Sequence, residues 1–480
     1  MLFNSFEFLI FLPIVFLLYW FVFRGRKLQN LLIVITSYVF YGWWDWRFLF
    51  LIALTSLCSF GSGLLLEKCD NKRRCQQIVS AGNIILNLGI LGVFKYYNFF
   101  LENLDRLFSS ALGYHFDWVT MEIILPVGIS FYTFQALSYT IDVYQKKLPV
   151  TRDIVEFFAY ISFLPQLVAG PIERATNLLP QFQHSRQFDY AKAVDGCRQM
   201  LWGFFKKLVV ADNCASLVNE FWGQYQETPS TGLIMLGVLF TLQIYCDFSG
   251  YSDIAIGCAR LFGFNLMRNF NYPYFSRSIP EFWRRWHISL TTWFRDYIYF
   301  PLGGSKCEKW KIIRNVYIVW CISGLWHGAS WHFVCWGFFH ATLLAVYNLL
   351  GINTKYEQVV AYGRYLPNMK ETMQIVLTFF LAVIGWIIFR AESMTQAVDY
   401  FSCIFTNPIV ADERMFVKSA MCGILLLLVE WFQRDKQHAL QFTEMKPFNY
   451  KVFRWGIYYL ILLMIWKYAG SSQTFIYFQF

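Results

Sequence analysis

Long apolar runs recur along the whole chain, separated by short polar breaks. Phe6 to Phe23 is apolar except for Glu7, and comparable runs fall near 30–44, 47–66, 79–100, 120–143, 154–169, 230–258, 312–326, 331–350, 373–389, 417–432 and 452–469. Roughly 17–25 apolar residues of helix cross a bilayer core. The pattern therefore predicts an all-α polytopic membrane protein with about a dozen transmembrane or re-entrant helices. No stretch between the runs could form an ordinary soluble domain, so residues 1–480 read as a single membrane domain.

Two runs are broken from within. Leu125-Pro126-Val127-Gly128-Ile129-Ser130 sets Pro and Gly inside a span, and Phe163-Leu164-Pro165-Gln166-Leu167-Val168-Ala169-Gly170-Pro171 does so again. Backbone freed at membrane depth must be satisfied by protein or by a water-filled cavity. Either break alone reads equally well as a packing kink; the two together predict a cavity.

Composition agrees with the runs. Of 480 residues, 57% are hydrophobic, 21% aromatic and only 15% charged. Soluble chains carry about a quarter charged residues, and with so few this chain could not cover a water-facing surface. No Lys or Arg precedes the first run and no small-residue cleavage pattern follows it, so that run is expected to be retained as a helix. Basic loops at Arg24–Lys27, Lys68–Arg74, Lys146–Arg152, Arg268–Arg314 and Arg434–Lys451 are placed inside by the positive-inside rule. The opposite loops, near Asp45, Leu101–Val119 and Ala391–Met415, are poor in basic residues or mixed, which leaves both termini outside. The formal net charge of +10 is then membrane-surface charge facing anionic lipid. It is divided among too many loops to suit a nucleic acid. Twelve cysteines occur without CxxC spacing; most read as small hydrophobes inside the runs, so a disulfide framework stays open with little support, and no metal site or bound cofactor is expected.

Residues 269–314 break the pattern differently. Aromatics alternate with arginines through Phe282-Trp283-Arg284-Arg285-Trp286-His287 and Trp293-Phe294-Arg295-Asp296-Tyr297. A helix lying in the interface plane needs that alternation, with rings in the acyl boundary and guanidinium groups among the headgroups. The stretch therefore reads as a cytoplasmic-side interfacial segment, but this leaves His287 without an explanation.

Only seven histidines are present. His115, His184 and His438 read as loop residues. His327 lies in Gly324-Leu325-Trp326-His327-Gly328, with His332 and His340 following. An ionisable group at membrane depth is by default a functional candidate, and imidazole is the cheapest to bury because it can stay neutral. A neutral buried imidazole is also what acyl transfer to a hydroxyl requires, since it accepts the alcohol proton as the oxygen attacks a carbonyl. The plainer reading is a histidine bonded to a nearby carbonyl; from spacing alone that reading leads for His327, and more strongly for His332 and His340. Asp247 and Asp253, in Tyr245-Cys246-Asp247-Phe248-Ser249-Gly250-Tyr251-Ser252-Asp253, could orient an imidazole or pair with Arg284, Arg285 or Arg295; a structural pair is the commoner outcome.

Taken in order, five motifs resemble the membrane-bound O-acyltransferases, in their bacterial branch of alginate O-acetylation and teichoic-acid D-alanylation proteins. They are Leu125-Pro-Val-Gly-Ile-Ser-Phe-Tyr-Thr-Phe134, Phe163-Leu-Pro-Gln-Leu-Val-Ala-Gly-Pro-Ile172, Asp247-Phe-Ser-Gly-Tyr-Ser-Asp253, Phe282-Trp-Arg-Arg-Trp-His-Ile-Ser-Leu290 and Gly324-Leu-Trp-His-Gly328. The resemblance implies a ring of helices in a bacterial inner membrane, with His327 as central catalytic histidine and His287 as the second motif histidine. It implies a cytoplasmic acyl thioester donor such as acetyl-CoA, or a D-alanyl carrier protein in the rival reading, with Arg284, Arg285 and Arg295 meeting donor phosphates or lipid headgroups. The acceptor is expected to be an extracytoplasmic polysaccharide or cell-wall polymer, reached with a secreted or membrane-anchored acetyltransferase partner. Residues 471–480 form an aromatic tail that the topology places outside. They resemble an aromatic C-terminal motif of this branch, which makes Tyr477 a candidate acyl relay; an aromatic belt ending the last span is the alternative. Outside the class, a lipid or substrate transporter also suits broken spans and buried histidines, and a scaffold is the third reading.

Overall fold

Segments that leave water must satisfy their own backbone N–H and C=O groups, so the apolar runs fold as helices. The computed structural model describes residues 1–113, 123–168, 170–352, 356, 358–409, 416–441, 450–471 and 473–476, and no strand occurs among them. Among the described residues, four helices combine the length and apolarity needed to cross a bilayer: Trp46–Lys68, Arg73–Leu112, Ser230–Leu261 and Met369–Arg390. The chain divides into two compact units, residues 1–189 with 261–266, and residues 190–260 with 267–480.

The first unit holds α1 (Phe6–Leu17), α2 (Arg26–Gly42), α3 (Leu49–Lys68), α4 (Arg73–Leu112), α5 (Ile129–Tyr144), α6 (Ile154–Ile161), α7 (Leu164–Leu167) and α8 (Ala175–Gln183). A polar seam joins α3, α4 and α5. Asn83 Nδ2 donates to Ser62 Oγ at 2.7 Å and to Thr140 Oγ1 at 3.1 Å. Such interhelical bonds, each worth about 0.6 kcal/mol on average, join helices where lipid gives apolar faces no reason to associate. A disulfide between Cys69 and Cys75 closes the turn from α3 to α4. These two cysteines lie between the apolar runs at 47–66 and 79–100, not inside them.

The two broken motifs pack on each other in this unit. Gly128 has φ 75°, and a Cβ there would overlap the Leu167 carbonyl. Side chains satisfy the freed backbone, with Ser37 Oγ accepting from Leu164 N at 3.0 Å and Gln166 Nε2 donating to Tyr160 O at 2.9 Å. Of the run near 120–143, the described residues 123–128 are not helical and α5 begins at Ile129. These breaks are tight packing and do not line the cavity described below.

The second unit holds α9 (Tyr190–Phe204), α10 (Asp212–Trp222), α11 (Ser230–Leu261), α12 (Ile279–Arg285), α13 (Ile288–Phe294), α14 (Lys309–His327), α15 (Trp331–Leu349), α16 (Met369–Arg390), α17 (Met394–Thr406), α18 (Val417–Phe432) and α19 (Lys451–Tyr468), with π-helical turns at Phe205–Ala211 and Arg295–Tyr299. Within the protein, 78% of the apolar window of α11 is buried, which makes it the post on which this unit is built. Helices α14 and α15 form a close hairpin because two glycines let backbones touch: a Cβ at Gly324 would overlap the Phe333 carbonyl, and one at Gly337 the Trp320 carbonyl. Gly324→Val is therefore expected to force the hairpin apart and displace His327, with lower thermal stability in detergent and loss of acyl transfer; a variant that melts and works like wild type would show that the backbones tolerate separation.

In the first half of residues 269–314 the rings pack against protein. Phe270, Tyr272, Tyr274, Phe282, Trp283, Trp286 and Trp293 are all buried, and exposed rings begin only at Phe300 and Trp310. The alternation of rings and arginines reflects inward packing on the aromatic side, because α12 and α13 are each only 7 residues long and turn between two crowded helices.

Candidate active site

His287 sits at the corner between α12 and α13. Ser278 caps α12 by accepting from Glu281 N at 3.3 Å, and Pro280 occupies the first turn, where its missing N–H costs nothing. The chain then reverses through His287, whose φ of 42° and ψ of 54° are left-handed. Its ring is buried and meets Phe248 of α11 edge-on, with centroids 4.6 Å apart. His327 ends α14, also buried, with ring centroids 4.9 Å from Trp326, 5.1 Å from Trp336 and 5.3 Å from Phe389. Trp326 stands 6.1 Å from the His287 ring as well, so a single indole lies beside both imidazoles.

The two histidines open onto one cavity of about 210 Å³, bounded by α12, α13 and the Arg295–Tyr299 turn on one side and by α14 on the other. Trp283, Trp286, Leu290, Phe294, Val316, Val319 and Trp320 make its walls apolar; Thr291, Ser323, Tyr299 and Arg295 supply its few polar groups. An apolar chamber with a few convergent polar groups is the usual form of a small-molecule site.

The other expected site residues separate from this chamber. Arg295 lines it and pairs with Asp296 at 2.7 Å. Arg285 turns to Glu281 at 2.9 Å, which also binds Arg277 at 3.0 Å, and Arg284 is exposed. Neither carboxylate pairs with these arginines. Asp247 Oδ1 lies 2.8 Å from Lys207 Nζ, and Asp253 Oδ2 lies 2.5 Å from Lys206 Nζ. Lys207 also holds Asp212 at 2.8 Å, and all three members of this triad are buried. Lys206 additionally donates to Ser249 Oγ at 2.9 Å. Sequence reading missed both lysines; the signal was present as two cations set in Phe204-Phe205-Lys206-Lys207-Leu208-Val209-Val210. His438, read as a loop residue, is buried in its turn with Nε2 3.0 Å from Asp195 Oδ1. His332 bonds Ser330 Oγ at 2.9 Å, and His340 accepts from Trp283 Nε1 at 3.3 Å, as expected of structural histidines.

Residues 473–476 are seated in the same unit. Phe475 and Ile476 are buried; Ile476 N donates to Asp247 Oδ2 at 2.8 Å, and Lys207 Nζ donates to the Gln473 carbonyl at 3.1 Å. The Phe475 ring lies 4.4 Å from Tyr251 and 6.0 Å from Phe248, the residue that touches His287. Tyr477 and His115 lie outside the described residues.

A helical membrane protein with two buried imidazoles on one apolar chamber has the form of a membrane enzyme. Its residues 146–387 match the family described as MBOAT, membrane-bound O-acyltransferase family. It is 40% identical over 408 residues to "Probable alginate O-acetylase AlgI" of Pseudomonas aeruginosa, covering 85% of this chain and 75% of that one. It is 28% identical over 534 residues to the peptidoglycan O-acetyltransferase of Helicobacter pylori, covering 100% and 98%. With the teichoic acid D-alanyltransferase of Bacillus subtilis it shares 28% over 281 residues, covering 55% and 69%. The chain belongs to the membrane-bound O-acyltransferase family and is an acyltransferase.

Proposed function

We propose that this enzyme moves an acyl group, acetyl by preference, from a cytoplasmic thioester across the membrane to hydroxyls of an extracytoplasmic polysaccharide or cell-wall polymer. The observation that carries the reading is the shared chamber: His287 and His327 line one apolar cavity in a family of acyltransferases. His327 accepts the proton of the attacking hydroxyl as its oxygen bonds the thioester carbonyl carbon. The carbon–sulfur bond then breaks, and the leaving thiolate takes up that proton. His287 assists on the donor side, where Arg295 is the arginine near enough to meet a donor phosphate.

Acetyl is preferred over D-alanyl because the alginate O-acetylase relative shares more identity over more of the chain than the D-alanyltransferase does. Acetyl-CoA or another acyl thioester is the donor, and no cofactor stays bound. The enzyme sits in a bacterial inner membrane with both termini outside, and Tyr477 carries the acyl group to a secreted or membrane-anchored transferase. Membrane vesicles given acetyl-CoA labelled in its acetyl group test this directly. Label should become covalently attached to the wild-type chain and be absent from Tyr477→Phe, which stays in the membrane but no longer supports polymer acylation. Unchanged acylation in that variant dismisses the relay, and labelling from a D-alanyl carrier protein in place of acetyl-CoA reverses the choice of acyl group.

A further inference from the structure

A histidine at φ 42° is in backbone strain that costs on the order of 1–3 kcal/mol and persists only where neighbours over-determine it. Here Asn269 meets the corner through both its backbone and its side chain. Asn269, fully buried, lies alongside the corner: Ile288 N donates to its backbone carbonyl at 2.8 Å, and Asn271 N, two residues on, donates to Arg285 O at 2.9 Å. Its side-chain oxygen takes three more contacts. Ser289 N donates to Asn269 Oδ1 at 3.3 Å, Ser289 Oγ donates to it at 2.9 Å, and His287 Nδ1 lies 3.1 Å from it.

Those contacts fix protons as well as backbone. A main-chain N–H can only donate, so the amide atom facing Ser289 N is the carbonyl oxygen, whichever way the amide might otherwise be turned. The amide nitrogen then donates to Ser252 Oγ of α11 at 3.1 Å. An amide oxygen can only accept, and Ser289 Oγ, 3.4 Å from the same His287 nitrogen, gives its one hydrogen to Asn269 Oδ1 at the shorter 2.9 Å, so that nitrogen carries the ring hydrogen. In the neutral imidazole this leaves Nε2 as the basic atom. A neutral amide achieves this without adding a buried charge, which an aspartate there would.

We propose that Asn269 is a positioning residue of the acyl-transfer site: it holds His287 as the Nδ1–H tautomer in its left-handed corner, so that Nε2 is the atom that exchanges a proton with the reacting groups. Acting through the imidazole, Asn269 itself touches no substrate. The inference rests on the proton-transfer role given above to His287, but its structural half can be read without activity.

The test uses the full-length protein labelled with ¹⁵N-histidine in lipid bilayers, with the His287→Gln difference spectrum identifying the ring. Wild type should show His287 protonated at Nδ1 alone. Asn269→Leu, which removes the acceptor at similar size, should populate the Nε2–H form and lower the acyl-transfer rate at saturating donor by about 10- to 100-fold, the usual cost of losing a group that orients a functional histidine. Asn269→Asp keeps an acceptor oxygen and should restore the Nδ1–H signal and most of the lost rate. An Nε2–H signal in wild type overturns the proposal. So does an Nδ1–H signal retained in Asn269→Leu, or an equal rate loss in the Leu and Asp variants with the tautomer unchanged, since Asn269 then only fills space. Full activity in His287→Gln overturns the role of the imidazole instead, while the tautomer spectra still report on Asn269 separately.

Discussion

His327→Ala is expected to lower acyl transfer by about 10²- to 10⁴-fold, the range lost when a positioned general base is removed. The measurement is O-acetylation of the envelope polymer in a deletion strain complemented with wild type or with the variant at equal membrane levels. The ring is enclosed by Trp326, Trp336 and Phe389, so alanine also opens a void. His327→Gln separates the two effects, since it keeps much of the volume and a polar end without a base of imidazole strength. If the glutamine variant fails like alanine while both remain in the membrane, proton transfer is what was lost. If the alanine variant restores acetylation fully, the histidine is packing, and transport or scaffolding becomes the better reading.

That His327 and His287 share a chamber was not available from spacing, since about forty residues of loop and helix lie between them. Their candidacy was: scarce histidines in apolar surroundings are costly enough to need a reason. The spans were legible because lipid imposes a length and a composition on every crossing helix. Helices packed inside protein obey neither constraint, which is why α8, α9, α10, α12, α13 and α17 left no apolar run. Gly324 read as part of a motif, and its reason emerged only against the Phe333 carbonyl. Asn269 was legible least of all. One neutral residue in a polar stretch has no periodicity, and its meaning comes from Ser252, His287 and Ser289 converging on it. Asp247 and Asp253 were seen, but their partners were sought among arginines thirty or more residues ahead. The cations that bind them, Lys206 and Lys207, sit behind them in a π-helical turn between α9 and α10.

Lys207→Met is expected to be the most destabilising single change away from the chamber. Lys207 Nζ lies 2.8 Å from Asp212 Oδ1 and 2.8 Å from Asp247 Oδ1, with side chains 1%, 0% and 3% exposed. Methionine fills most of the volume but leaves two buried carboxylates side by side, and removing one partner of a buried pair costs about 3–5 kcal/mol. The damage should reach the chain's end, because the same ammonium holds the Gln473 carbonyl and the same Asp247 holds Ile476 N. The expected result is a lower melting temperature in detergent and protease cleavage within residues 473–476 that wild type resists. Neutralising the whole triad, Lys207→Met with Asp212→Asn and Asp247→Asn, should recover much of the stability, since replacing a buried ion cluster entirely is often close to neutral. It should not recover the seating of the tail to the same degree, because the donor to Gln473 is still missing. A Lys207→Met protein that melts with wild type and keeps its tail protected would mean that apolar packing of Phe475 against Tyr251 and Phe248 seats the segment by itself.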